Sequence, residues 1–342
     1  MAERAPTSSA PASGADRERV PGLRGSHMRW MGISISLVSV AAVAIWISRQ
    51  PTPAFPGDAA QRLALGEAIA LYAAVTLLRG ERWLRMMDRA GARMSRADAY
   101  ALNAIGYMGN NVLPARGGDA IRVYLGVQRS AIGYPAVIGT LIAERLLDAV
   151  CLLSLFGLLA FVVLPGIAIP EVETTWLLLA AVGAALAAIL VALAARGHQF
   201  GTRLLDLVRP MAEATRQLRG SYGAAMLAFT VAIWTIEAAT YFTVGESVGL
   251  KMTPLEALYV LAVVGIFILI PSGPGYLGPL DAAVLFAVHA IGGSGSIAVS
   301  YLLMLRFVLM VPVTLAGLAL LIVRYGGFGL LRGIWRTGGS PT

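Results

Sequence analysis

Residues 110–122 read Asn110-Asn111-Val112-Leu113-Pro114-Ala115-Arg116-Gly117-Gly118-Asp119-Ala120-Ile121-Arg122. Residues 270–282 read Ile270-Pro271-Ser272-Gly273-Pro274-Gly275-Tyr276-Leu277-Gly278-Pro279-Leu280-Asp281-Ala282. Each stretch follows an apolar run that ends at a proline, Pro114 or Pro271, which lacks the N–H a helix interior needs. Glycines then permit a tight reversal: Gly117 and Gly118 in the first stretch, Gly273, Gly275 and Gly278 in the second, where Pro274 and Pro279 add further breaks. An aspartate, Asp119 or Asp281, falls in the first turn of the next apolar segment. At membrane depth, irregular backbone is tolerated only when buried in protein or lining a watery cavity. Both stretches therefore read as helix–break–helix hairpins beside a polar site.

The rest of the chain fits that setting. Of its 342 residues 57% are hydrophobic and 13% charged, with mean hydropathy +0.73. A soluble domain uses about 25% charged residues, so most of this surface faces something other than water. Apolar segments long enough to span occur at 30–48, 133–164, 175–195, 222–245 and 297–323, with a weaker one at 61–79 that carries Glu67. The runs at 100–113 and 255–270 are shorter than the roughly 20 residues a span needs. The net charge of +8 comes from clusters between apolar runs, not from a nucleic-acid-binding stripe. The 79–98 loop carries Arg79, Arg82, Arg85, Arg89, Arg93 and Arg96, and the 196–220 loop and the tail are basic as well. The 165–174 loop has only Glu171 and Glu173. The positive-inside rule then places both termini in the cytoplasm, in a cell (inner or plasma) membrane. Residues 1–28 read as a cytoplasmic tail rich in Ala, Pro, Ser, Gly and Arg, 29–325 as the membrane domain and 326–342 as a second tail. Gly25-Ser26-His27-Met28 resembles a tag remnant and carries no functional weight. Cys151, the single cysteine, excludes an intrachain disulfide.

With that orientation the first hairpin enters from the cytoplasm and the second from the opposite side. The halves, 30–165 and 175–323, then read alike and inverted: span, span, hairpin, span. An arginine follows each aspartate at similar spacing, 26 positions from Asp119 to Arg145 and 25 from Asp281 to Arg306. The expected architecture is all-α: six full spans plus two opposed re-entrant hairpins in an inverted repeat, with the site where the breaks meet.

Several groups can carry chemistry. Arg116 and Arg122 flank the first break beside a helix start, an arrangement suited to a lipid phosphate, with a headgroup-facing cytoplasmic loop as the alternative. Glu144-Arg145-Leu146-Leu147-Asp148 puts three charges in an apolar run, each costing about 2.5–3.5 kcal/mol at a helix centre, so they face the interior or a cavity. The alternative is a position near the cytoplasmic end. Glu144 and Asp148 are four apart and share one face. Arg306 needs a partner, either Asp281 or Glu237. Asn111 and Tyr276 complete the candidate set. Three histidines and one cysteine give no metal site, no cofactor motif is present, and no nucleophile–base pair stands out.

These residues resemble the flippase-like transmembrane domain of the lysylphosphatidylglycerol synthase family. The resemblance rests on Arg82-Trp83, Asn111 with Leu113-Pro114-Ala115-Arg116, Arg122, Glu144 to Asp148, the segment from Pro271 to Asp281, and Arg306, and it covers roughly residues 30–325. The family usually has glutamate where this chain has Asp119 and Asp281. Only about twenty residues follow the last span, so the resemblance does not bring the soluble aminoacyl-transferase domain or its synthase activity with it. It implies movement of a modified phospholipid or polyprenyl-linked sugar between leaflets. The expected partner is an anionic or phosphate-bearing membrane lipid, with a homo-oligomer or a separate lipid-synthesising enzyme also in view. A membrane-embedded lipid-modifying transferase, with Glu144 or Asp148 as base, and a non-catalytic lipid-binding subunit of a lipid synthase are the competing readings.

Overall fold

Eight α-helices are found among the described residues, and no strand. The structure, a computed structural model, describes residues 45, 52–53, 55–113, 116–159, 218–268 and 273–327. The expected spans at 30–48 and 175–195, both tails, and the breaking prolines Pro114 and Pro271 lie outside these residues, apart from Ile45, Gly326 and Gly327. The helices are α1 (Ala59–Arg89), α2 (Arg96–Val112), α3 (Gly117–Ser130), α4 (Tyr134–Leu158), α5 (Gly220–Ser247), α6 (Pro254–Ile268), α7 (Pro279–Ala290) and α8 (Gly295–Tyr325). Three of them, α1, α5 and α8, are long and apolar enough to cross a membrane, and α6 is a shorter apolar helix.

Local chemistry sets the helix ends. The Asp58 carboxylate accepts from Gln61 N at 2.8 Å and starts α1, and Ser95 Oγ accepts from Asp98 N at 3.0 Å and starts α2. Thr253 and Glu256 form a reciprocal box at the head of α6, with Thr253 N donating to Glu256 Oε2 at 2.6 Å and Glu256 N to Thr253 Oγ1 at 3.3 Å. Gly326, left-handed at φ 72°, ends α8. One sequence expectation is corrected here. The 79–98 stretch is not a loop throughout, because α1 continues to Arg89. Its 31 residues reach about 46 Å, well beyond the roughly 30 Å hydrocarbon core. Arg79 and Arg82 consequently lie on a helix and are buried, 7% and 0% exposed.

Packing pairs the helices in a regular way. α1 packs most extensively on α5, α2 on α8 and α3, and α6 on α7, α5 and α4. Exchanging α1 with α5, α2 with α6, α3 with α7 and α4 with α8 maps every substantial helix–helix contact among the described residues onto another one. Close approach is built from glycine: a Cβ on Gly118 of α3 would collide with the Gly106 carbonyl and the Asn110 amide of α2. At one end of the bundle, Arg93 N donates to Ser130 O at 3.1 Å, so the α2–α3 pair begins and ends together. There Asp98 accepts from Arg324 Nε at 3.0 Å and Tyr325 OH at 2.9 Å, and Tyr222 OH donates to Arg85 O at 3.0 Å. At the other end Leu250, before α6, lies against Gly293, after α7.

Candidate functional site

The helices α1, α3, α4 and α5 converge on a buried charge network. Glu144 and Asp148, one turn apart on α4, face α1. Arg82 donates to Asp148 Oδ1 and Oδ2 at 2.7 and 3.1 Å and to Thr230 Oγ1 of α5 at 2.8 Å, and lies 3.8 Å from Glu144. From α3, Arg122 forks onto both Glu144 oxygens at 3.3 and 2.9 Å and stacks 4.1 Å from the Trp83 ring centre. Trp83 Nε1 is held by Thr140 Oγ1 at 3.1 Å, and Trp234 Nε1 donates to Asp148 Oδ1 at 3.3 Å. A lone buried charge would be prohibitive at this depth, and each of these has a partner. Arg79 of α1 pairs with Glu237 of α5, its guanidinium 4.9 Å from the Trp234 ring centre and 5.6 Å from that of Tyr107.

Two arginines are held differently. Arg145, with a side chain 26% exposed, reaches Asp119 at 3.5 Å, Asp148 at 3.6 Å and Glu144 at 3.8 Å. Charge-assisted hydrogen bonds run at about 2.7–2.9 Å, so Arg145 is neutralised without being gripped. Asp119 is steadied from α2, accepting from Asn110 Nδ2 at 3.2 Å while its own N–H donates to Asn110 Oδ1 at 3.2 Å. Arg116 sits just before α3 at φ 57°, a left-handed conformation rare outside glycine. Its guanidinium has no ion pair or hydrogen bond among the described residues, its Nε is buried without a partner, and its one contact of note is the Tyr276 ring at 5.9 Å.

The second half repeats one element tightly. Arg306 donates to both Asp281 oxygens at 2.6 and 2.7 Å and to the Gly275 carbonyl at 3.0 Å. Gly275 and Tyr276 are left-handed at φ 61° and 54°, and Gly278 has φ 91°. Asn111, at the end of α2, ties the first break to α8 by donating to Thr314 Oγ1 at 2.9 Å and to Met310 O at 3.4 Å.

Two cavities meet at Arg116 and Arg145. An interior cavity of about 70 Å³ is lined by both arginines with Asn111, Asp148, Glu237 and the rings of Tyr72, Tyr107, Trp234 and Tyr276. A larger open groove of about 550 Å³ runs between α3 and α4. Its polar end is Arg116, Asp119 and Arg145, and its apolar wall includes Val123, Ile138, Leu141, Ile142 and Leu146. Among the described residues no group of His, Cys, Asp and Glu is placed to hold a metal ion.

The family model described as Lysylphosphatidylglycerol synthase TM region matches residues 29–317. The chain belongs to this family. It is a membrane protein with transmembrane helices. This member of the lysylphosphatidylglycerol synthase TM region family is also similar to Glycosyltransferase AglD of Haloferax volcanii, 24% identical over 303 residues. The match covers 76% of the chain and 48% of that protein, so the chain spans about half the length of this curated relative. No solved structure matches the chain.

Of the residues the sequence singled out, Asn111, Arg116, Arg145, Asp148, Glu237 and Tyr276 line the interior cavity, and Asp119 the groove. Glu144 lies behind them. Arg122, expected beside the first break as a phosphate ligand or in a headgroup-facing loop, is instead buried on Glu144, which takes up its charge. Arg306 takes Asp281 as its partner, and Glu237 takes Arg79. Gly117 and Gly118 open α3, and Gly273, Pro274 and Gly275 lie in the short 3-10 turn before α7. The inward roles of Arg79 and Arg82 were missed, because arginines after an apolar run look interfacial. The spacing of Thr230, Trp234, Glu237 and Tyr241, one face of α5, was the available signal.

Proposed function

We propose that this protein moves a phosphate-bearing lipid between bilayer leaflets. The observation that carries the reading is the position of Arg116 and Arg145, at the junction of an interior polar cavity and an open groove with an apolar wall. Acyl chains stay in the groove and the bilayer while the headgroup meets the two arginines, which lowers the cost of taking it through hydrocarbon. The architecture in this reading has six full spans and two opposed re-entrant hairpins, α2–α3 and α6–α7. The contact pairing that survives exchange of the halves supports an inverted repeat within residues 29–325. Arg85, Arg89, Arg93, Arg96, Arg129 and Arg324 belong to helix ends gathered at one end of the bundle, which supports a cytoplasmic face there and cytoplasmic termini in a cell membrane. The interior cavity is small beside ligand pockets of roughly 300–1,000 Å³, so passage requires one half to rock against the other.

The named relative is a glycosyltransferase, and this chain matches about half of it. The relative's name supports a second reading, in which the chain is the membrane partner of a lipid-synthesising enzyme. The test is native mass spectrometry of protein gently extracted from its own membrane, for wild type and Arg116→Ala/Arg145→Ala. The proposal expects an anionic lipid on wild type that is lost from the variant. Equal retention would send the assignment elsewhere, and copurification of a synthase without a lipid would favour the partner reading.

A further inference from the structure

The charged groups around the cavities fall into closed sets. Arg79 balances Glu237, and Arg306 balances Asp281. Arg82, Arg122 and Arg145 balance Asp119, Glu144 and Asp148 through connected ion pairs. One cation remains. Arg116 has no carboxylate partner among the described residues, and it lines both cavities. The apolar stretches 30–48, 160–170 and 174–195 contain no Asp, Glu, Lys or Arg.

We infer that the site is matched to a headgroup carrying one negative charge, a phosphodiester, and selects against diphosphate-linked lipids. This rests on the translocation reading above and narrows it. In a low-dielectric cavity a single phosphodiester on Arg116 leaves the whole set neutral, whereas a diphosphate brings a second charge with no counter-ion to meet it. Arg145 supplies hydrogen-bond donors to the same phosphate without adding net charge, because its carboxylates already neutralise it at 3.5–3.8 Å. Among the described residues the second half offers no equivalent anchor. Gly278 occupies the place, three residues before Asp281, that Arg116 holds before Asp119, and both have positive φ. The backbone device is repeated, but its charged side chain is not.

The experiment compares binding of two lipids with the same tail and sugar, a polyprenyl monophosphohexose and a polyprenyl diphosphohexose, to the full chain in nanodiscs. Phosphatidylglycerol is the second phosphodiester source, and glycerophosphoglycerol is its free headgroup. Wild type is expected to prefer the monophosphate by at least about tenfold, equivalent to about 1.4 kcal/mol. Arg116→Gln, which removes the one unmatched cation, should weaken binding of both lipids and leave the diphosphate the weaker of the two. Asp119→Asn, which is nearly isosteric and leaves a second cation unmatched, should shift preference toward the diphosphate. Whichever phosphodiester lipid binds more tightly identifies the source. Equal or tighter diphosphate binding by wild type overturns the inference and leaves translocation standing. Glycerophosphoglycerol binding as tightly as phosphatidylglycerol overturns the assignment to a lipid. Failure of folded wild type to bind any of these lipids sinks the translocation reading and this inference with it.

Discussion

Substituting Glu237→Gln isolates the energetics of the buried network. It removes the carboxylate that neutralises Arg79 and leaves the guanidinium between Trp234 and Tyr107, where the ring faces offset only part of the loss. Both partners are at most 7% exposed, so little water is available to replace the lost carboxylate. Breaking a buried pair by removing one partner costs about 3–5 kcal/mol, a large share of a typical stability of about 5–15 kcal/mol. Domains of 150–250 residues shift by roughly 2–4 °C per kcal/mol and a larger chain by about 1–2 °C, so thermal unfolding in one fixed detergent should fall by about 3–10 °C. Replacing both partners, Arg79→Met with Glu237→Leu, should recover most of that loss, because apolar replacement of a whole buried pair is often neutral or stabilising. A double-mutant cycle reads the difference directly. A Glu237→Gln midpoint within about 1 °C of wild type, or a double variant worse than either single one, would refute the claim that the interior is an array of mutually neutralised charges.

Other outcomes follow from the same geometry. Arg116→Gly should raise stability by about 1 kcal/mol, by relieving the left-handed backbone, while lipid retention by native mass spectrometry drops, a separation that a structural role for Arg116 does not produce. Gly118→Ala should cost about 1–3 kcal/mol or more in thermal unfolding, since its Cβ collides with the α2 backbone and neither helix can yield without moving. With Cys151→Ala as background, cysteines at Gly91 and Gly326 should react with impermeant maleimide from the cytoplasmic side, and cysteines at Gly249 and Gly292 from the other side. Labelling of Gly91 and Gly249 from one side would overturn the inverted arrangement.

Much of the fold was legible because its decisive signals are local. Proline and glycine at 113–118 and 270–279 mark chain breaks whatever the tertiary setting. The Asp281–Arg306 pair could be anticipated because each charge sits in apolar surroundings and needs a counter-ion. The central network was harder to read because its partners are far apart in sequence. Arg82 finds Asp148 and Thr230, 66 and 148 positions away, and nothing near Arg82 says that it turns inward. An arginine after an apolar run satisfies the positive-inside rule equally well as an interfacial anchor. Only the continuation of α1 to Arg89, and the acids on facing helices, decide between the two. For the same reason the sequence leaves Arg122 free for a phosphate, whereas the structure pairs it with Glu144.

The most direct test of the account is headgroup movement itself. Wild type and Arg145→Ala, reconstituted at equal density in phosphatidylglycerol-containing vesicles, are compared for the rate at which a labelled phosphodiester lipid becomes accessible to a membrane-impermeant quencher. Thermal unfolding of both proteins confirms that they are folded. The account predicts protein-dependent exchange in wild type, slowed at least about tenfold in the variant, a loss of about 1.4 kcal/mol of barrier stabilisation. Equal rates in two folded proteins would contradict it, and so would a wild-type rate no faster than that of empty vesicles.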